Sequence, residues 1–193
     1  MESLSCFLST GLGWLFKLVK RVTCSSLVGV VLPRHSGKTT LCKNLKSRDN
    51  SIMVDLDETI FMELSSEDAK RVEAMRDSGK AESVKLVLYP KARQYIEGLK
   101  QAFKFTRIIL VCSDVEMLRY VGVKEDDIHA FVASTDMQSL ITQRVDDVEE
   151  RKLIDASRTA ILLSLKAKRI NAFGSFEDLS KLVCQIADLI PRL

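Results

Sequence analysis

The stretch VGVVLPRHSGKTTL, Val28 to Leu41, decides how the rest of the chain is read. It opens inside a short β-branched apolar run, Leu27 to Leu32, the pattern of a strand buried on both faces. It closes on Ser36-Gly37-Lys38-Thr39-Thr40 and a helix-forming run. Gly-Lys-Thr between a strand and a helix is the setting in which a loop cradles phosphate. Backbone N–H groups around the glycine face the anion, and the helix dipole favours negative charge there. Lys38 would neutralise the outer phosphates of ATP or another NTP, and the Thr39 hydroxyl would hold Mg²⁺. The full pattern, G-x-x-x-x-G-K-[ST], asks for a first glycine where this chain has Leu32. Pro33 fixes φ and can impose the turn by other means. Arg34 and His35 add cations, so residues 34–40 form the expected nucleotide-binding set: Arg34, His35, Ser36, Gly37, Lys38, Thr39 and Thr40.

Ser51 to Asp55, SIMVD, reads as a second strand, and VDLDE (Val54–Glu58) places two acids at its end. Residues two apart on a strand share a face, so Asp55 and Asp57 can converge beside the loop. There Asp55 could hold Mg²⁺ through water and Asp57 could accept a proton from an acceptor hydroxyl. Asp57 and Glu58 could equally cap the next helix. RIILVCSD, Arg107 to Asp114, is the clearest strand in the chain, and Asp114 at its end is a third candidate metal ligand, or a cap on the helix that follows.

Ser65 and Asp68 have capping-box spacing and open a helix predicted to end near Gly79. A helix is predicted after Pro90 through about Phe103, a strand over His129–Ser134, and one long charged helix from about Met137 to Lys168. Arg144, Arg151 and Arg158 recur at sevens along it and would share a face, where Glu149, Glu150 and Asp155 could pair with them. RINAF (Arg169–Phe173) and a helix over Phe176–Leu189 close the chain. Strands alternating with helices imply a parallel sheet with ligands at the carboxyl ends of the strands.

The 193 residues suit one domain and an appendage, and 46% hydrophobic with 28% charged is ordinary globular composition. Five widely spaced cysteines, with no C-x-x-C pair, argue for reduced thiols in a cytoplasmic setting and against a zinc site. Residues 1–48 hold eight Lys/Arg against Glu2 alone, so they carry +7 of a net +3 and favour anions. Within 1–24, Leu4, Phe7, Leu8, Leu12, Leu15, Phe16 and Val19 recur at helical spacing. Such a run is shorter than the roughly 20 apolar residues of a membrane span. Residues 1–24 are therefore read as an amphipathic helix and 25–193 as the main domain. The helix would pack on the domain or on a protein partner or second subunit, or lie at a membrane surface through residues 1–22, with Trp14, Lys17, Lys20 and Arg21 at the headgroups.

On SGKTT with its strand and helix, VDLDE, and the tail RINAFGSFEDLSKLVCQIADLI, the chain resembles the P-loop small-molecule and nucleoside-monophosphate kinases, shikimate-kinase-like and adenylate-kinase-like enzymes. The likeness runs over Leu27–Leu189. It implies an α/β, three-layer αβα fold with a five-stranded parallel sheet in order 2-3-1-4-5, ATP over the first strand and a mobile lid near the fourth. It also implies a lid arginine, for which Arg144 lies best, so that Lys38, Asp57 and Arg144 form the expected catalytic set. The expected function is a Mg²⁺-dependent phosphotransferase acting on a small molecule, a nucleotide or a nucleic-acid end. The alternatives are an NTPase or nucleotide-sensing assembly module, and a protein that kept the fold but lost the chemistry.

Overall fold

Strand β1, Leu27–Val31, lies at the centre of the sheet in the computed structural model, which describes residues 26–45, 51–104 and 106–188. The other strands are β2 (Ser51–Asp55), β3 (Arg107–Cys112), β4 (Ile128–Ala133) and β5 (Ile170–Phe173). All pair in parallel, in the order β2-β3-β1-β4-β5, the order expected from the resemblance. The helices are α1 (Lys38–Asn44), α2 (Leu56–Met62), α3 (Ser66–Asp77), α4 (Ala81–Ala102), α5 (Val115–Tyr120), α6 (Thr135–Gln143), α7 (Val148–Ser164) and α8 (Phe176–Asp188). The segment read as an amphipathic helix, and the boundary at 24/25, lie outside the described residues. Among the described residues no helix is long and apolar enough to cross a membrane.

The apolar runs of the strands divide residue by residue between two cores, as side-chain alternation requires. Val31, Ile108, Leu110, Cys112, Ile128, Ala130 and Val132 join one face, closed by Leu56 and Ile60 of α2, Ala92 and Ile96 of α4, and Leu118 of α5. Val30, Leu32, Ile109, Val111, Phe131 and Ala133 join the other, closed by Leu41 of α1, Ile141 of α6, and Leu179 and Val183 of α8. Helices cover both faces, so the layers are αβα. Gly29 permits the closest approach: a Cβ there would lie 2.5 Å from Leu118 Cδ1.

Two helices differ from the sequence reading. Helix α4 starts at Ala81 and runs through Pro90 instead of starting after it. Leu88 and Tyr89 pack on the same core as Tyr95 and Leu99, so burial of one continuous stripe outweighs the hydrogen bond that proline removes. The acceptor left without that bond belongs to Leu86, which is 77% exposed, so its carbonyl can turn to water. The charged stretch is two helices, not one. Asp147 breaks it by capping α7, its Oδ1 accepting from the Glu149 and Glu150 amides at 2.8 and 3.4 Å. Arg144, at the end of α6, therefore does not share a stripe with Arg151 and Arg158, and residues 144–147 form a short connection where the resemblance implied a lid.

Replacing Ile96, fully buried on α4, by alanine should cost about 2–5 kcal/mol in urea unfolding. Leu86→Ala on the same helix should change stability by no more than about 0.5 kcal/mol. Equal costs would mean that the packed face of α4 is a different one.

Candidate functional site

Leu32, at the place where the phosphate-loop pattern asks for glycine, is fully buried in the second core, and its amide donates to the Cys112 carbonyl at 2.9 Å. The strand ladder thus continues one residue further before the chain turns. Pro33 begins the turn, and its carbonyl accepts from the Ser36 amide at 3.3 Å and from Lys38 Nζ at 3.5 Å. His35 has φ +58° and Gly37 φ +85°, both left-handed. Only the second is a glycine, so His35 holds a conformation that costs a side-chain-bearing residue free energy. Gly37 has a second constraint: a Cβ there would meet the Phe176 ring at 3.0 Å. Gly37 caps α1 with no side-chain hydrogen bond, so the first amides of the helix meet no capping side chain.

The two acids of VDLDE do converge on this loop, but not as neighbours on one strand face. Strand β2 ends at Asp55, and Asp57 lies in the first turn of α2. Asp55 is buried, caps α2 through Oδ1 to the Glu58 amide at 3.3 Å, and accepts from Thr39 Oγ1 through Oδ2 at 3.0 Å. Asp57 Oδ2 accepts from both the amide and the hydroxyl of Ser113, at 3.0 and 2.8 Å, and lies 3.6 Å from Lys38 Nζ. Burial pushes the Asp57 carboxyl above its ordinary range, Asp55 adds to that, and Lys38 and Ser113 oppose it. The Cys42 thiol nearby is pushed up to about 12, first by burial and then by Asp55 and Glu58, so it stays protonated and unreactive at neutral pH.

The remaining expected residues fall elsewhere. Asp114 caps α5, its Oδ1 accepting from the Glu116 and Met117 amides at 2.8 and 3.4 Å, and its Oδ2 takes the Tyr89 hydroxyl at 2.7 Å. Of its two sequence readings, cap and metal ligand, the geometry has it serving as the cap. Among the described residues, no hydrogen bond or ion pair joins the Arg144 side chain to the loop. At the loop, Arg34 and His35 both face Glu150, an acid that the sequence spacing set against the arginines of its own stretch instead. Glu150 Oε1 lies 3.2 Å from Arg34 Nη1 and 3.0 Å from His35 Nε2. Ser157, two turns along α7, accepts from the Arg34 amide at 3.2 Å. Glu150, Ser157 and Phe176 are absent from any loop motif because they lie more than a hundred residues away.

The arrangement fits a magnesium-bound polyphosphate. The Ser36 hydroxyl is buried and has no partner among the described residues, a costly state that a phosphate oxygen would relieve. Thr39 and Asp55 offer one hydroxyl and one carboxylate, and among the described residues no group of three or more acidic, His or Cys side chains could hold a metal ion. That sparse set suits Mg²⁺, which keeps water and phosphate oxygens in most positions.

No protein-family model and no curated protein matches the sequence. Among solved structures, the chain is similar to a thymidylate kinase from Candida albicans, at 10% identity and TM-score 0.48 over 86% of this chain and 92% of that one. It is also similar to a shikimate kinase from Acinetobacter baumannii in complex with shikimate, at 11% identity and TM-score 0.46 over 89% and 99%.

Because the carboxyl of folded Asp57 holds its proton more tightly than the unfolded value of 3.8, ionising it disfavours the folded state. Its contribution is fully present below 3.8 and is lost as pH rises through the folded value. Asp57→Asn does not titrate, so its melting temperature relative to wild type should rise from pH 4 to pH 7. A flat or falling difference would mean that Lys38 and Ser113 outweigh burial.

Proposed function

We propose that the chain binds a magnesium nucleoside triphosphate on the Lys38 loop and transfers the terminal phosphoryl group to a hydroxyl of a small acceptor. The observation that carries this reading is Asp57: a largely enclosed carboxylate, 3.6 Å from the loop lysine and held by two donors from Ser113. A carboxylate so placed can take the proton of an acceptor hydroxyl beside the terminal phosphate. Lys38 draws the outer phosphates against the loop amides, and the Ser36 hydroxyl takes a phosphate oxygen. Asp57 removes the proton from the acceptor oxygen as that oxygen bonds to phosphorus and the bond to the leaving nucleoside diphosphate breaks. Magnesium, held from Thr39 and Asp55, supplies charge neutralisation on the phosphates. Arg34, rather than Arg144, is the arginine that meets the developing charge, once Glu150 yields it.

The Glu150 contact favours a second reading, a nucleotide sensor, because a loop whose cations are held by an internal acid changes state when phosphate displaces that acid. One assay separates the two. The terminal phosphate of labelled ATP is followed into a panel of nucleosides, nucleotides, sugars, small acids and oligonucleotide ends, with free phosphate measured in parallel. Transfer to an acceptor should fall by about 10²–10⁴ in Asp57→Asn while nucleotide binding persists. Free phosphate with no labelled acceptor, indifferent to Asp57, would leave the sensor reading in place.

Binding itself is read by melting temperature. Mg-ATP or Mg-GTP should raise it, and Lys38→Ala should remove the shift. Glu150→Gln should tighten nucleotide binding about two- to fivefold, the range a partly exposed ion pair commands. Weaker binding in Glu150→Gln would mean that the acid orders the loop instead of competing for it.

A further inference from the structure

Helix α7 carries two arginines on a side that it does not turn to the phosphate loop. Glu150 and Ser157 reach Arg34 and His35, whereas Arg151 and Arg158, one residue further on, stand about 100° round the helix. With Asp155 they line one wall of a cleft of about 410 Å³, whose other wall is α6 with Gln138, Ser139 and Thr142.

The acids that sequence spacing would pair with these arginines are engaged elsewhere. Glu149 holds Lys152 at 2.7 Å, Glu150 holds the loop cations, and Asp155 Oδ1 accepts from the Gln138 amide at 2.9 Å. Arg151 gives its Nε to the Val145 carbonyl at 2.5 Å, and its terminal nitrogens have no protein partner among the described residues. The Nε of Arg158 is enclosed and without a partner there. An enclosed guanidinium N–H left unmatched is rare and unfavourable, and calls for a ligand or ordered water.

The facing wall has the opposite character. Ser139 and Thr142 donate their hydroxyl protons back to the α6 carbonyls of Thr135 and Gln138, at 3.0 and 2.8 Å. Their outward lone pairs can only accept. The Gln138 amide nitrogen gives one N–H to Asp155, which leaves its carbonyl and its second N–H to the cleft. One wall donates with positive charge, and the other is neutral and offers mainly acceptors.

We propose that this cleft is a binding site, separate from the Lys38 loop, for a small hydroxylated organic anion: a sugar or polyol bearing one phosphate or carboxylate. The anionic group lies on Arg151 and Arg158, and the hydroxyls donate to Ser139, Thr142 and Gln138. None of these residues belongs to the proposed nucleotide site, so the assignment stands whether or not the chain transfers phosphate.

The test is a titration of the ¹⁵N-labelled full chain, following the arginine Nε–H resonances, with that of Arg158 assigned by its loss in Arg158→Lys. The probes are ribose 5-phosphate, gluconate, ribose and inorganic phosphate, with affinities from calorimetry. The Arg158 resonance should move saturably with ribose 5-phosphate or gluconate, the stronger of the two identifying the anionic group, and much less with ribose or inorganic phosphate. Arg158→Gln should weaken binding about tenfold or more, as loss of a charged hydrogen-bond partner does. Thr142→Val keeps the wall's shape and removes one acceptor; it should also weaken binding, and it serves where Arg158→Gln does not fold. Lys38→Ala should change nothing. No saturable movement with either anion, an equal response to inorganic phosphate, or loss of the response in Lys38→Ala would overturn the proposal.

Discussion

The parallel pairing of β1 with β3 sets the position of everything at the site. Val31 lies opposite Cys112, and the Leu32 amide extends the ladder to the Cys112 carbonyl before the chain turns. The Lys38 loop and the end of β3 therefore leave the sheet side by side. Ser113, the residue that follows β3, is thereby brought within reach of Asp57, which arrives from β2 on the other side of β3. A shift of one residue in this register would turn Val30 and Val31 to the wrong cores and part Lys38 from Asp57. Gly29 opposes such a shift, because a side chain in its place would meet Leu118 Cδ1 at 2.5 Å.

Leu32 shows how the core and the loop share one residue. A glycine there would free the chain to turn sharply, but it would remove a fully buried side chain from the second core. This chain keeps the core contact and makes the turn with Pro33 and a left-handed His35. The left-handed His35 also makes the contact with Glu150, so the turn of the loop and its tie to α7 meet in one residue. Helix α7 thereby acts on two surfaces. One side holds Arg34 and His35 of the loop, and the other presents Arg151 and Arg158 to the α6 cleft.

Much of the architecture was legible in the sequence, because apolar runs bounded by turn residues are strong local signals. SIMVD is a strand over the same five residues, and the Ser65 cap opens a helix that ends short of Gly79. Two boundaries were not legible. Pro90 looked like a helix start because the packing that carries α4 through it comes from other elements. The break at Asp147 was hidden because charged residues flank it on both sides, and a cap is marked only by where its carboxylate points.

The sequence by itself marked the Gly-Lys-Thr loop between a strand and a helix, the two acids at the end of β2 and the alternation of strands and helices. These are set by residue type and short spacing, which local physics can read. Only the tertiary structure decided which groups meet: Asp57 with Ser113 and Lys38, Glu150 with Arg34 and His35, Asp114 with Tyr89. Those contacts join segments up to 116 residues apart, so no spacing along the chain encodes them. They depend on the strand order and on the face that each helix buries, and both emerge only when the whole core is packed.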